Sequence, residues 1–465
     1  MSSTSICGTS NITSGFIDLA TFDEIDKYMY GGPSSFTYYV REAHKSTWFT
    51  HVPVVLSRSS GQPGFNQEWS VSISRAADYL LHTWLRLVTP EVVLLQGNQF
   101  GNDGRIRWTR NFMHNIIREV CISFNDLVAA RFDNYHLDFW TAFTVPASKR
   151  VGYDNMIGNV DSLVAPHAVG VGLPAQALNL PLPFFFDRDS GIALPVAALP
   201  YNEMKITFCF RKWDELLILD NSANPAATVN TVVPLIGTDI AAAPELSAVQ
   251  VWAEYAIVSN EERKRMACAP RDLLVEQVQT APKQTYSPAT NPNQCFDIRF
   301  SHAVKALFFA VRNTTHDNVW SNYTTASPVP GPQVINYDPS NRFDPIGHTS
   351  LVYENTNRIS QMGSDYFSLI NPYYHAPTIP TETGYHLYSY SLAFFEIDPM
   401  GSTNFGKLTN VSIVPAASTA AVVAANGAGG PNSGADYPQT FDFIVTAVNN
   451  NIIRVSGGSL GFPVL

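Results

Sequence analysis

An octapeptide late in the chain, GSTNFGKL at 401–408, carries the glycines and lysine of a phosphate-cradling loop. Such a loop needs Ser or Thr directly after its lysine to hold magnesium, and a helix beyond it whose N-terminus faces the anion. Here Leu408 takes the magnesium position and TNVSIV continues as a strand, which argues against nucleotide chemistry. GGSLG at 457–461 spells the G-x-S-x-G nucleophile elbow around Ser459, yet only 4 residues follow it, and the acid and histidine of that triad belong later in the chain. Asp187 and Asp189 flank Arg188, and a carboxylate pair suggests glycoside hydrolysis, although a solvated loop or a local ion pair explains the same residues. The 11 histidines never come closer together than His44 and His51, so neither H-x-H nor H-E-x-x-H is present. No catalytic, cofactor-binding or metal-binding residue is expected, and no cofactor. Asn11, Asn313, Asn322 and Asn410 head N-x-S/T sequons, which matter only inside the secretory route.

Cys7, Cys121, Cys209, Cys268 and Cys295 are odd in number, scattered and without a C-x-x-C pair, as reduced thiols of an intracellular protein would be. No charged-then-apolar leader opens the chain, no apolar run reaches the roughly 18 residues of a membrane span, and Ser2 stands where myristoylation needs glycine. The expectation is a soluble protein outside the standard secretory route. Over 465 residues, 45% are hydrophobic and only 15% charged, so apolar surface suffices for cores and for subunit interfaces. A formal net charge of -10 argues against wrapping phosphate backbones, and direct nucleic-acid binding is not expected. The length suggests two or three domains.

Residues 249–279 organise the chain as strand, short charged helix, strand. In VQVWAEYAIV, Val249, Val251, Ala253, Tyr255 and Ile257 share one face, a period of two. Ser259 with Glu262 has the spacing of a capping box, Arg263, Lys264 and Arg265 read as a solvated basic face, and Pro270 prevents a longer helix. The chain therefore leaves one sheet and enters another. Upstream, 1–14 reads as a Ser/Thr-rich mobile arm, and Thr21 with Glu24 predicts a short helix that stops at Gly31. Its apolar stripe of Phe22, Ile25 and Met29 needs a partner, in its own domain, a neighbouring subunit or an underlying layer.

EWSVSISR places Trp69, Val71 and Ile73 on one face, and MKITFCFR does the same with Met204, Ile206, Phe208 and Phe210. Little in that half keeps a helical period, which predicts an all-β domain. Phe112, His114 and Asn125 recur at the same mutual spacing as Phe300, His302 and Asn313, an echo that suggests two halves of one fold. Val304 to Val311 is apolar on both faces and predicts a central strand. Long excursions are expected at 161–180, 221–246, 314–348 and 416–438, and a terminal hairpin turning at Asn449-Asn450.

Several segments resemble the major capsid proteins of large nucleocytoplasmic DNA viruses, most closely those of iridoviruses infecting invertebrates. TSGFIDLATFDEIDKYMYGG is similar to the N-terminal signature; EWSVSISRAADYLLHTWLRL, FNDLVAARFDNYHLDFW and KRVGYDNMIGN to the first domain; LPLPFFFDRDSGIALPVAALPYNEMKITFCF to the Pro- and Phe-rich run before a strand. AEYAIVSNEERKRMA resembles the domain junction and YSYSLAFFEIDPMGSTNFGKLTN the second-domain signature. The resemblance implies an all-β double jelly roll, two eight-stranded antiparallel β-sandwiches side by side, with short helices in the arm and linker. The expected division is 1–30 arm and short helix, 31–259 first jelly roll, 260–272 linker helix and 273–465 second jelly roll. It further implies a non-enzymatic capsid protein forming pseudo-hexagonal homotrimers that meet neighbouring capsomers, minor capsid proteins and an internal membrane layer. The setting would be the virion, made and assembled in host cytoplasm. The rival reading is a carbohydrate-binding or carbohydrate-active β-sandwich using the aromatic stretch at Tyr373 and Tyr374.

Overall fold

The computed structural model describes residues 12–222, 231–326, 336–337, 340, 343–427 and 438–462. Cys7, Asn11, most of the expected N-terminal arm and parts of the last three excursions lie outside the described residues.

The chain divides into two compact units, 1–48 and 49–465. The first holds helices α1 (Ile12–Ala20) and α2 (Glu24–Met29). The expected cap at Thr21 and Glu24 does not form, because the Thr21 hydroxyl finds the open Ile17 carbonyl at the end of α1, at 3.0 Å. Asp23 caps α2 instead: its carboxylate accepts the Ile25 and Asp26 N–H groups at 2.9 and 3.0 Å, and the Asp26 carboxylate accepts the Asp23 N–H at 3.3 Å. Phe22, Ile25 and Met29 are all exposed.

The second unit is built from antiparallel sheets. Its first half contributes β1 (Phe49–Val55), β2 (Ser57–Gly61), β3 (Glu68–Ser72), β4 (Tyr79–Val88), β5 (Ile117–Phe124), β6 (Leu127–Phe132), β7 (Ala177–Pro181), β8 (Met204–Phe210) and β9 (Ser247–Val258). Helix α3 (Asn134–Thr144) lies between β6 and β7. After β9, helix α4 (Asn260–Cys268) leads to β10 (Arg271–Thr280), β11 (Phe296–Asp297), β12 (Ala303–Asn313), β13 (Ile346–Tyr353), β14 (Thr356–Gly363), β15 (His386–Ser389), β16 (Val411–Ala417) and β17 (Phe441–Ser456). Between β14 and β15 a π-turn at Tyr366–Ile370 runs into helix α5 (Asn371–His375).

The first jelly roll packs a sheet of order β1-β9-β4-β7 on one of order β2-β3-β8-β5-β6; in the second, β10-β17-β12-β15 packs on β11-β16-β13-β14. The first sheets of the two pairs correspond strand for strand, with β10 in the place of β1, β17 of β9, β12 of β4 and β15 of β7, while β11-β16-β13-β14 matches β3-β8-β5-β6 and the edge strand β2 has no counterpart. The hairpins correspond as well: β5 and β6 turn through Asn125 and Asp126, β13 and β14 through Glu354 and Asn355, all four with positive φ, as a two-residue hairpin requires. The two halves therefore share a fold, but the Phe112/Phe300 echo is not its cause. Phe112 and His114 lie in a short helix before β5, whereas Phe300 and His302 precede β12, the counterpart of β4.

The alternation read from the sequence places the core. Met204, Ile206, Phe208 and Phe210 are all buried, with Trp69 stacked 5.6 Å from Phe208; full burial of one such side chain stabilises by about 1.5–3 kcal/mol. In β9, Val251, Ala253 and Tyr255 point inward, but Val249 is half-buried, beside a register irregularity between Ser247 and Gln250, and Ile257 is exposed, beyond Ala256, the last residue of β9 that pairs with β4. Both faces of β12 are buried. The expected turn at Asn449-Asn450 is absent. β17 runs straight through these residues, since each pairs with both β10 and β12 and Gln279 donates to the Asn449 carboxamide oxygen at 2.8 Å. Gly457 and Gly458, with φ of 60° and 82°, make the turn.

Ser259 precedes α4 but its side chain makes no capping hydrogen bond. Arg263 anchors the helix instead, its guanidinium gripping both oxygens of Asp78 at 2.7 and 2.9 Å while Asp78 also accepts the Val258 N–H at 3.0 Å. One residue of the basic run is thus a structural anchor.

Candidate functional site, an assembly surface

The residues singled out for chemistry do not converge. GSTNFGKL opens no helix: Thr403 and Asn404 pair with β12, Phe405 is buried, and β16 follows. Gly401 has φ 116°, and a Cβ there would meet the Tyr390 carbonyl at 2.9 Å, so the glycine serves a close turn. The Ser459 hydroxyl donates to the Ser456 carbonyl at 3.3 Å. Asp187 pairs with His82, and Arg188 with Glu276 at 2.9 Å, so neighbours in sequence go to different partners. Among the described residues no group of three or more His, Cys, Asp or Glu could hold a metal ion, and no helix is long and apolar enough to cross a membrane. Asn313 is buried and donates to the Thr324 carbonyl and to Gln439 at 3.2 and 3.0 Å; Asn322 donates to Ala326; Asn410 is exposed.

What the fold does build is a seam between the jelly rolls. A tongue at 318–323, from the second half, enters the first. Trp320 is 7% exposed within the first jelly roll's core, with the guanidinium of Arg211 3.8 Å from its ring and that of Arg312 3.6 Å away. Its backbone N–H donates to the Thr109 hydroxyl at 3.0 Å and its indole N–H to the Glu215 carbonyl at 2.9 Å. Burial pushes the Arg211 guanidinium down to about 10, with Arg312 adding to the shift.

Beside the tongue lies a buried carboxylate, Asp138 on α3. Asn111 and His114 reach it from the first jelly roll at 3.2 and 2.7 Å, Ser321 and Tyr323 from the tongue at 2.8 Å each. Burial alone would push Asp138 up, but the hydrogen bonds from His114, Ser321 and Tyr323 hold it below the usual carboxylate range. A third cluster joins Arg188 of the first half to Glu276 and Lys305 of the second, with Arg188 lying 3.7 Å over the Trp140 ring. His136, one turn away and wholly buried, is pushed down to about 3 by burial and by Arg188, and so stays neutral. The apolar part of the seam is α3 laid on the outer face of the β10-β17-β12-β15 sheet: Phe139, Trp140 and Phe143 against Ala306, Phe308, Leu387, Ile444 and Val448. None of these partnerships has a local signature, because each joins residues distant in sequence.

The outward faces are less complete. Trp84 and Trp252, cross-strand neighbours on the outer face of the β1-β9-β4-β7 sheet, are half-buried and lie nearly parallel at 6.1 Å. Tyr373 and Tyr374 on α5 are 69% and 71% exposed and meet edge to face. Apolar exposure of this kind, on rigid elements, suits contact with another macromolecule better than catalysis.

Comparison with known proteins agrees with this geometry. Residues 262–461 match the family model for the large eukaryotic DNA virus major capsid protein, and 37–258 that for the major capsid protein N-terminus. The chain is 67% identical to the major capsid protein of Costelytra zealandica iridescent virus, covering 98% of this chain and 99% of that one. It is 52% identical to that of Lymphocystis disease virus 1 over 99% of this chain and 100% of its relative. Among solved structures, the PBCV-1 virus capsid aligns at a TM-score of 0.70 and 20% identity over 92% of this chain and 100% of that one; the Faustovirus major capsid protein aligns at 0.65 and 10%, over 93% and 94%. At such identities these structures bear on the fold, a double jelly roll.

Proposed function

Because this chain belongs to the family of large eukaryotic DNA virus major capsid proteins, and is thus a structural component of an iridovirus-like virion capsid, we propose that its working form is a homotrimer of pseudo-hexagonal outline. Trimers tile the icosahedral shell over an internal membrane and meet minor capsid proteins at their margins. The observation that supports this most is the repeated strand order of the two jelly rolls: three copies of a two-domain chain present six similar walls, and closed threefold symmetry uses all of them. The working division is an arm at 1–30, jelly rolls at 31–259 and 273–465, and a linker at 260–272. The chain is made and assembled in host cytoplasm, its sequons Asn11, Asn313, Asn322 and Asn410 unmodified, and it needs no cofactor and binds no nucleic acid directly. It turns over no substrate; ATP hydrolysis lost on Lys407→Ala would overturn that part. The trimer is tested by light scattering at micromolar concentration, where a mass near three times 51.2 kDa is expected, retained in high salt because the contacts are mainly apolar. A well-folded monomer under those conditions refutes it.

A further inference from the structure

Within one chain, α3 follows the β5–β6 hairpin of the first jelly roll and covers the outer face of the second jelly roll's β10-β17-β12-β15 sheet. The second jelly roll has the counterpart of each part. After its β13–β14 hairpin come the π-turn and α5, and the counterpart of the covered face is the outer face of β1-β9-β4-β7. On that face one row crosses all four strands: Val55 opposite Trp252, Trp252 opposite Trp84, Trp84 opposite Pro181. The adjacent Val251, Leu85 and Leu180 point the other way into the core and are fully buried, so the row faces outward. The projecting counterpart of α3 likewise carries apolar groups without cover: Ile370 is 46% exposed, Tyr373 69% and Tyr374 71%.

We propose that the π-turn and α5 of one copy, through Ile370, Tyr373 and Tyr374, pack on the Val55-Trp252-Trp84-Pro181 row of the next copy, repeating between chains the contact that α3 makes within one. The occupant is a second copy of this chain. A contact between two different faces closes only as a ring, and a ring of three copies alternates first and second jelly rolls, each outer face covered by the helical insertion of its neighbour. Polar groups border the row: Arg86 and Gln250 on one side, Glu254 and His82 on the other, aligned by the same strand pairings. They offer partners for the tyrosine hydroxyls, so the aromatic rings can be buried with their polar ends satisfied. The proposal rests on the trimer reading and specifies its interface.

The test compares wild type with Tyr373→Ala/Tyr374→Ala and Trp84→Ala/Trp252→Ala by light scattering across a dilution series, with circular dichroism to confirm folding. Each double variant is expected to raise the concentration at which the trimer dissociates by about tenfold or more, as removal of buried aromatic anchors does. The tyrosine variant, altering side chains largely in solvent, keeps the monomer folded and so isolates the contact. If wild type is a monomer, the trimer reading itself fails. If wild type is a trimer and the tyrosine variant dissociates no more readily, this interface is wrong while the trimer stands, whatever the tryptophan variant does.

Discussion

Replacing Trp320 with alanine should separate the stability of the two jelly rolls. The indole is almost wholly buried, lies between two guanidinium groups at 3.8 and 3.6 Å and donates to the Glu215 carbonyl. Truncating a buried aromatic to alanine costs about 3–5 kcal/mol. Each cation–π contact contributes about 0.5–2 kcal/mol, a contribution already contained in that range, so the expected loss is about 4 kcal/mol. That is a large fraction of the roughly 5–15 kcal/mol by which a domain is stable. It falls on the coupling, because Trp320 belongs in sequence to the second half and in packing to the first. Urea unfolding followed by fluorescence and by circular dichroism should give coincident transitions for wild type and, for Trp320→Ala, an earlier step for one jelly roll. As a control, Ile413→Ala, inside the second core alone, should lower stability without parting the probes in that order. A Trp320→Ala protein that loses less than about 1 kcal/mol, or whose probes still coincide, refutes the tongue as the coupling element.

Asp138→Asn keeps the shape but removes the charge that four donors address, and should cost about 3 kcal/mol, read as a lower urea midpoint. Because Asp138 is held below its unfolded value, its contribution is complete above about pH 4 and is lost as the pH falls further, through the folded value; stability that decays instead between pH 7 and 5 on account of this residue would contradict the network. His82 is pushed up, first by its hydrogen bond to Asp187, so its contribution is present below about pH 6.5 and fades as the pH rises through the folded value. An NMR titration should place His82 above the ordinary histidine value, and in Asp187→Asn it should return toward it. Ser259→Ala should change stability by no more than about 0.5 kcal/mol, since no cap is lost, whereas Arg263→Ala should leave Asp78 without its guanidinium and destabilise more; equal effects would show that α4 is held some other way.

The strands were legible where the period of two is a local property. Trp69 to Ile73, Met204 to Phe210 and Val304 to Val311 needed nothing from elsewhere in the chain to declare a buried face. Helix α3 was not legible, although its text was in view. Nearly all of its residues are buried on every side, so it lacks the one-sided stripe by which helices are recognised. Asn449 and Asn450 carry turn chemistry that strands on both sides override. The proposed assembly surface and the seam were invisible for a related reason. Trp84 and Trp252 are remote in the sequence and become a row only through a strand register, and Asp138 meets Tyr323 only after two sheets have formed.

The intruding tongue also sets an order of events during synthesis. The first core draws on Trp320, and also on Leu273, Val275, Ile453, Val455 and Leu460, all of which leave the ribosome after β9. At about 5–20 residues per second, the N-terminal half waits for seconds with its interior unfinished. A chain released at Val258 should accordingly bind hydrophobic dye, and the full-length chain should not. A chain that stops before Leu273 lacks not only the second jelly roll but six buried residues of the first one's core.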